Sequence, residues 1–286
     1  MKYSVIDVGS NSIRLTVVEN GVTLYKKIAV TRLGYGRDSA GNLSEDAKIK
    51  TVAAVKDFVR LSEKENCGKI FAFATAAVRN AKDGAEFALR LEKACGVKVD
   101  IVSGEKEAEL GVLGALGNGD GGVIDVGGAS TEIAVVKKGR IIYEKSLGIG
   151  AVSLTEKFGQ DYKAISSFVR EKIKEYGEVP SAEFHIIGGT AITLAVADSG
   201  LKEYDPLKTD GHRIFAARLE KITETLSNQT PEEREKVSGV DKRRSDIIHS
   251  GAIIFYELIK YLGAEYFAVS ESDNAEGYLR YTTGKL

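Results

Sequence analysis

The feature that most restricts how this chain can fold is a short phrase written twice. Val5-Ile6-Asp7-Val8-Gly9 returns as Val123-Ile124-Asp125-Val126-Gly127, and the alignment continues without a gap at an offset of 118 residues. Ser12 and Ser130, the pairs Val17-Val18 and Val135-Val136, and Gly21 and Gly139 also coincide. Each copy runs from an apolar stretch through an aspartate and a glycine turn into a second apolar stretch, the pattern of a β-hairpin. One such hairpin would be commonplace; two at this spacing imply a duplicated domain rather than a short solenoid. Glycine permits positive φ and lets a ligand approach the main chain, and successive amides in such a turn make an anion-binding nest. A carboxylate there would repel a bare phosphate, so Asp125 points to a bridging metal ion or a reacting water. Two such domains facing each other would clamp a phosphate across a cleft.

Length and composition agree with this layout. A chain of 286 residues can bury two cores, and 43% hydrophobic with 28% charged residues is ordinary for a globular protein. A formal net charge of −1 argues against wholesale nucleic-acid binding. Cys67 and Cys95 lack metal-ligand spacing and read as reduced thiols, and scattered His185, His212 and His249 argue against a zinc site or histidine-based triad. No apolar run approaches membrane length and the first strand begins at once, so neither membrane nor targeting segment is expected and the location is read as cytoplasmic.

Strand and helix patterns alternate along the chain, which predicts an α/β fold with mixed sheets. Strands are expected over 3–9, 12–18, 23–31, 69–74 and 97–102. Helices are expected after Ser44, over 81–94 and after Ser103-Gly104. Gly117 to Gly122 is the strongest break, giving domains 1–118 and 119–286, with the last helix able to pack back on the first domain. In the second half a hairpin fills 122–146, a helix 161–176 and a strand 183–187. Thr230-Pro231-Glu232-Glu233 is a well-formed helix start. A long helix is expected from Lys242 to Leu262. The strand-to-helix junction Gly188-Gly189-Thr190 is a further place where amides and a helix N-terminus could hold phosphate.

With these segments in view the chain resembles the actin-like ATPase superfamily, and within it the exopolyphosphatase/guanosine pentaphosphate phosphohydrolase family. The resemblance is carried by Ile6 to Ser12, Ala74-Thr75-Ala76-Ala77-Val78-Arg79, Ser103 to Ala108 and Asp125 to Glu132. Ile187 to Thr190, Arg244 to Ile248 and Ser270 to Gly277 follow in the family's order. It implies two duplicated actin-like (ribonuclease H-like) domains with an interdomain cleft, in the short form without the family's additional C-terminal helical region. Two departures stand out: Arg14 lies where many members have histidine, and Ala129 where a third glycine is common.

The resemblance also implies a chemistry. Glu107 would activate the attacking water, while Asp125 and Glu132 would hold Mg²⁺, whose hard oxygen preference suits carboxylates. Ser10, Asn11, Ser12, Gly127, Gly128, Ser130, Thr131, Gly188, Gly189 and Thr190 would bind substrate phosphate. Arg14, Arg79 and Arg244, with Arg32 as a further candidate, would supply positive charge, arginine being suited to forked phosphate contacts. The expected reaction is removal of terminal phosphate from inorganic polyphosphate. Guanosine pentaphosphate 5′-hydrolysis, a non-hydrolytic alarmone or polyphosphate sensor, and a small-molecule kinase are the alternatives, and homodimerisation goes with the family.

Overall fold

The structure is a computed structural model and describes residues 1–284. Its first half contains β1 (Lys2–Val8), β2 (Ser12–Glu19), β3 (Val22–Val30), α1 (Glu45–Lys64) and β4 (Lys69–Ala74). It continues with α2 (Ala76–Arg79), α3 (Gly84–Cys95), β5 (Val99–Ile101) and α4 (Gly104–Ala115). The second half opens with β6 (Gly121–Val126), β7 (Thr131–Lys137), β8 (Arg140–Leu147), α5 (Ala151–Phe158), α6 (Tyr162–Lys172) and β9 (Phe184–Ile187). There follow α7 (Gly188–Ser199), α8 (Pro206–Thr209), β10 (Arg213–Phe215), α9 (Ala216–Asn228) and α10 (Pro231–Arg234). The chain then runs through α11 (Ile248–Leu262), β11 (Tyr266–Val269) and α12 (Asn274–Thr283).

The duplication is plain in the sheets. One has the order β3-β2-β1-β4-β5 and the other β8-β7-β6-β9-β11-β10, so each is an antiparallel three-strand meander continued by parallel strands. The α/β class and the two duplicated units with mixed sheets are therefore present, the second unit carrying β10 as an added antiparallel edge.

Side chains alternate across each strand, and that alternation builds five layers. Ile6, Val8, Ile13 and Leu15 face α1 and α3. Val5, Val18, Phe71 and Phe73 face α12, where Phe73 stacks on Tyr278 at 4.8 Å between ring centroids. Each large side chain buried there is worth about 2 kcal/mol. In the second sheet Val123, Ala134, Val136 and Ile187 meet α4, while Ile124, Val126, Ile133 and Ile186 face the large core under α7 and α11. Asp7 shares a pleat with Val5, and Asp125 with Val123. Both aspartates therefore project toward the helical layer between the sheets.

Several elements differ from the sequence reading. The expected helix from Lys242 begins instead at Ile248, because the Asp241 side chain caps a separate 3₁₀ turn over Lys242–Arg244. The capping box at Thr230 is present but starts a helix of only four residues. The helix after Asp161 gives way at Ile173 to a 3₁₀ turn. Short α2 and α5, edge strand β10 and α9 are not among the elements expected from the sequence, although α9 carries Leu219, Ile222 and Leu226 at helical spacing. Gly9, Gly127 and Gly128 are not in the positive-φ region. Gly128 is needed for space, since a Cβ there would lie 2.8 Å from Ser10 Cβ of the facing turn.

Candidate active site

The two hairpin turns meet at the bottom of a cleft and enclose a cavity of about 70 Å³. That is room for a phosphoryl group with water. Ser10, Asn11 and Ser12 line one side, Gly127, Gly128, Ala129 and Ser130 the other, and Gly188, Gly189 and Thr190 at the start of α7 a third. The amides of Ser10, Asn11, Gly128 and Ala129 reach no acceptor among the described residues. Asp7 Oδ1, both amide atoms of Asn11 and Asn274 Oδ1 are likewise buried without partners. So many unmet groups around one cavity are costly unless a ligand meets them.

Arg244 lies over Gly189, where any Cβ would collide with its guanidinium, and donates to Ser12 Oγ at 3.2 Å. Burial, reinforced by the charge of Arg14, lowers its pKa to about 10. A half-buried cation with no carboxylate partner among the described residues is a receptive site for an anion. Arg14 also lines the cavity, but its Nε and Nη2 bind Asp7 at 3.1 and 2.7 Å and its Nη1 binds Asp273 at 2.8 Å.

The carboxylates converge where the sheets and α4 meet. Asp125 and Glu132 are register partners on β6 and β7, so their side chains emerge side by side. Glu107, in the first turn of α4, completes the group: one oxygen from each of the three lies within 4.8 Å of the others. Burial, only partly offset by Arg79, pushes Glu107 up to about 7. Burial likewise raises Asp125 to about 6, against the pull of Arg14 and of a hydrogen bond from Asn274. Glu132 is raised well above its ordinary value, first by burial and then by the other two carboxylates. Its Oε1 accepts from Ser146 Oγ at 2.7 Å, and its Oε2 has no partner among the described residues. Three buried acidic groups with an orphaned oxygen fit a hard divalent cation.

Three expected site residues stand apart from the cavity wall. Glu132 lies behind it, in contact with the carboxylate group. Thr131 is fully buried in β7, its hydroxyl donating to the Ile149 carbonyl at 2.7 Å. Arg79 donates from Nη1 to Glu107 Oε2 at 2.7 Å and to the Val102 carbonyl at 2.9 Å, which orients Glu107. Arg32, the further candidate, pairs with Asp246 at 2.9 Å. Sequence reasoning gave Asp7 no partner and passed over Asp273 and Asn274. Their position in the Ser270 to Gly277 segment was the only available signal, and nothing in the residue types indicated which of them reaches the cleft.

Among the described residues no helix is long and apolar enough to cross a membrane. The chain is 28% identical to exopolyphosphatase 2 of Mycobacterium tuberculosis, over 96% of this chain and 97% of that protein. It is also 28% identical to a bifunctional 3-dehydroquinate synthase/phosphatase of Fusobacterium nucleatum, covering 95% of this chain but only 45% of that longer protein. The crystal structure of an Aquifex aeolicus Ppx/GppA family member superposes with a TM-score of 0.82 at 28% identity, covering 100% of this chain and 98% of that one. Residues 16–283 match the Ppx/GppA phosphatase family, and with the fold and the cleft in agreement the chain belongs to this family of phosphoanhydride hydrolases.

Proposed function

We propose that the protein is an exopolyphosphatase that releases terminal orthophosphate from inorganic polyphosphate, with Mg²⁺ held by Asp125 and Glu132. The observation carrying this reading is the gathering of unpaired donors around a cavity that can take a phosphoryl group, with Glu107 and Asp125 in its wall and Glu132 behind them. The terminal phosphoryl group would rest against the amides of Ser10 to Ser12 and Gly128 to Ser130. The α7 N-terminus at Gly188 to Thr190 and the Arg244 guanidinium would offset its charge. The rest of the polyanion would leave through the mouth of the cleft. A bound cation would screen the phosphoryl oxygens and ease departure of the leaving phosphate.

Glu107, held by Arg79, faces the carboxylate pair and accepts the proton of the attacking water. The water oxygen forms the new P–O bond as the bridging P–O bond breaks. The bridging oxygen leaves with the shortened chain. A pKa near 7 suits a group that must take up and return a proton at neutral pH.

Orthophosphate release with Mg²⁺ from long-chain polyphosphate, guanosine pentaphosphate and ATP, measured in parallel, tests this reading. Release from polyphosphate should fall by about 10²–10⁴-fold in Glu107→Ala. Preference for the pentaphosphate would make the protein an alarmone hydrolase. Binding without release from any of the three would leave a sensor and sink the hydrolytic reading.

A further inference from the structure

Asp125 receives no cation from its own hairpin. The repeat position that supplies Arg14 to Asp7 supplies Glu132 to Asp125. The hydrogen bond to Asp125 comes instead from the start of α12, where Asn274 Nδ2 donates to Oδ2 at 2.6 Å. The preceding residue, Asp273, is the one that accepts from Arg14. One dipeptide therefore touches both hairpins. Asn274 is 1% exposed and lines the cavity.

This dipeptide is firmly held. Asp273 caps α12, its side chain accepting from the Ala275 amide and its own amide donating to Glu276 Oε2, each at 3.0 Å. Lys26 from β3 adds ion pairs to Asp273 at 3.3 Å and Glu276 at 3.0 Å. Against α4 the fit is close enough to demand glycine. A Cβ on Gly111 would lie 3.1 Å from Asn274 Oδ1, and one on Gly114 or Gly277 would overlap the carbonyl of Asp273 or Leu110. Because α4 also carries Glu107, this helix pair fixes Asn274 relative to both sides of the carboxylate group.

We propose that Asn274 is a positioning residue, whose amide holds the Asp125 carboxylate in the orientation that faces Glu107 and Glu132. The inference rests on the reading of Asp125 as a cation ligand given above. An amide suits the place: it donates to a carboxylate without adding a fourth negative charge, whereas leucine would donate nothing and aspartate would repel. Outer partners of this kind commonly govern ligand affinity through the groups that they orient.

The test uses the full chain carrying Asn274→Ala or, to keep the volume filled, Asn274→Leu. Mg²⁺ affinity is read by calorimetric titration without substrate, kcat and KM on polyphosphate, and folding by Tm. Mg²⁺ affinity and kcat should each fall about 10–100-fold while KM shifts less than about threefold, because the phosphate donors of the two turns are untouched. A variant with lowered Tm but unchanged Mg²⁺ affinity and unchanged kcat per folded molecule would show Asn274 to be structural and overturn the proposal. If wild-type protein hydrolyses none of the anhydrides, the functional reading fails separately. The Mg²⁺ titration then still decides on Asn274, and unchanged affinity in the variants refutes it.

Discussion

The two hairpins have the same strand pairing and opposite electrostatics. In the first, Asp7 faces Arg14 and the pair closes at 2.7 Å. In the second, Asp125 faces Glu132, so a second buried carboxylate stands where the first hairpin has a guanidinium. A single register position, cation in one copy and carboxylate in the other, separates a closed structural clasp from a site that calls for a positive ligand. Duplication supplies the geometry twice. Divergence at that one position assigns the chemistry to one copy.

The largest effect should come from making the second hairpin like the first. Glu132→Arg would place a guanidinium beside Asp125 and exclude a cation, at a cost of about 4 kcal/mol or about 10³-fold in Mg²⁺-dependent phosphate release. Activity retained at more than about a tenth of wild type would mean that the carboxylate pair is not the working feature. Opening the clasp in the first hairpin is next. Arg14→Leu strands Asp7 in the interior and leaves Asp273 with Lys26 as its one cation among the described residues, and should lower stability by about 3–5 kcal/mol in urea unfolding. A loss below about 1 kcal/mol would show that the ion pair is dispensable.

The smallest effect is the pH response of the open hairpin. Carboxylates whose pKa is raised in the fold keep protons that the unfolded chain releases. Their contribution to stability is complete below the ordinary value of 4.5 and is lost as pH climbs through about 7, the value reached by Glu107. Without divalent cations, Tm should therefore drop by roughly a few degrees between about pH 5 and about pH 8. Mg²⁺ should restore it most at the upper end, and Glu107→Gln should flatten the profile. A flat profile in wild-type protein would show that the cluster is already neutralised.

The repeat was legible because it lies in strands, where local sequence dictates both pleat and register. Val5, Asp7, Val123 and Asp125 could be placed on one side of their sheets from alternation alone. The resemblance supplied Glu107. Partnerships across long separations were not legible. No local pattern shows that Asp7 and Asp273 hold the Arg14 guanidinium, or that Arg79 lies against Glu107. Asn274 meets Asp125 across 149 positions of sequence, a distance over which no local pattern speaks. The late start of α11 has a similar origin. A continuous helix would carry Lys242 to Arg244 along its axis, whereas the 3₁₀ turn capped by Asp241 lets Arg244 reach the cleft.

The packing of α12 over Val5, Phe71 and Phe73 also governs the order in which the protein can be built. The sheet translated first is finished last. Its inner face is met only by Val102 and Leu110 until α12 emerges, and α12 ends 168 residues beyond α4, from Ala115 to Thr283. At about 5–20 residues per second, a nascent chain exposes that aromatic face for roughly 10–30 s. The same dependence means that the halves cannot be expressed apart at the 117–122 segment and recombined at will, since each would arrive without a wall that the other encodes.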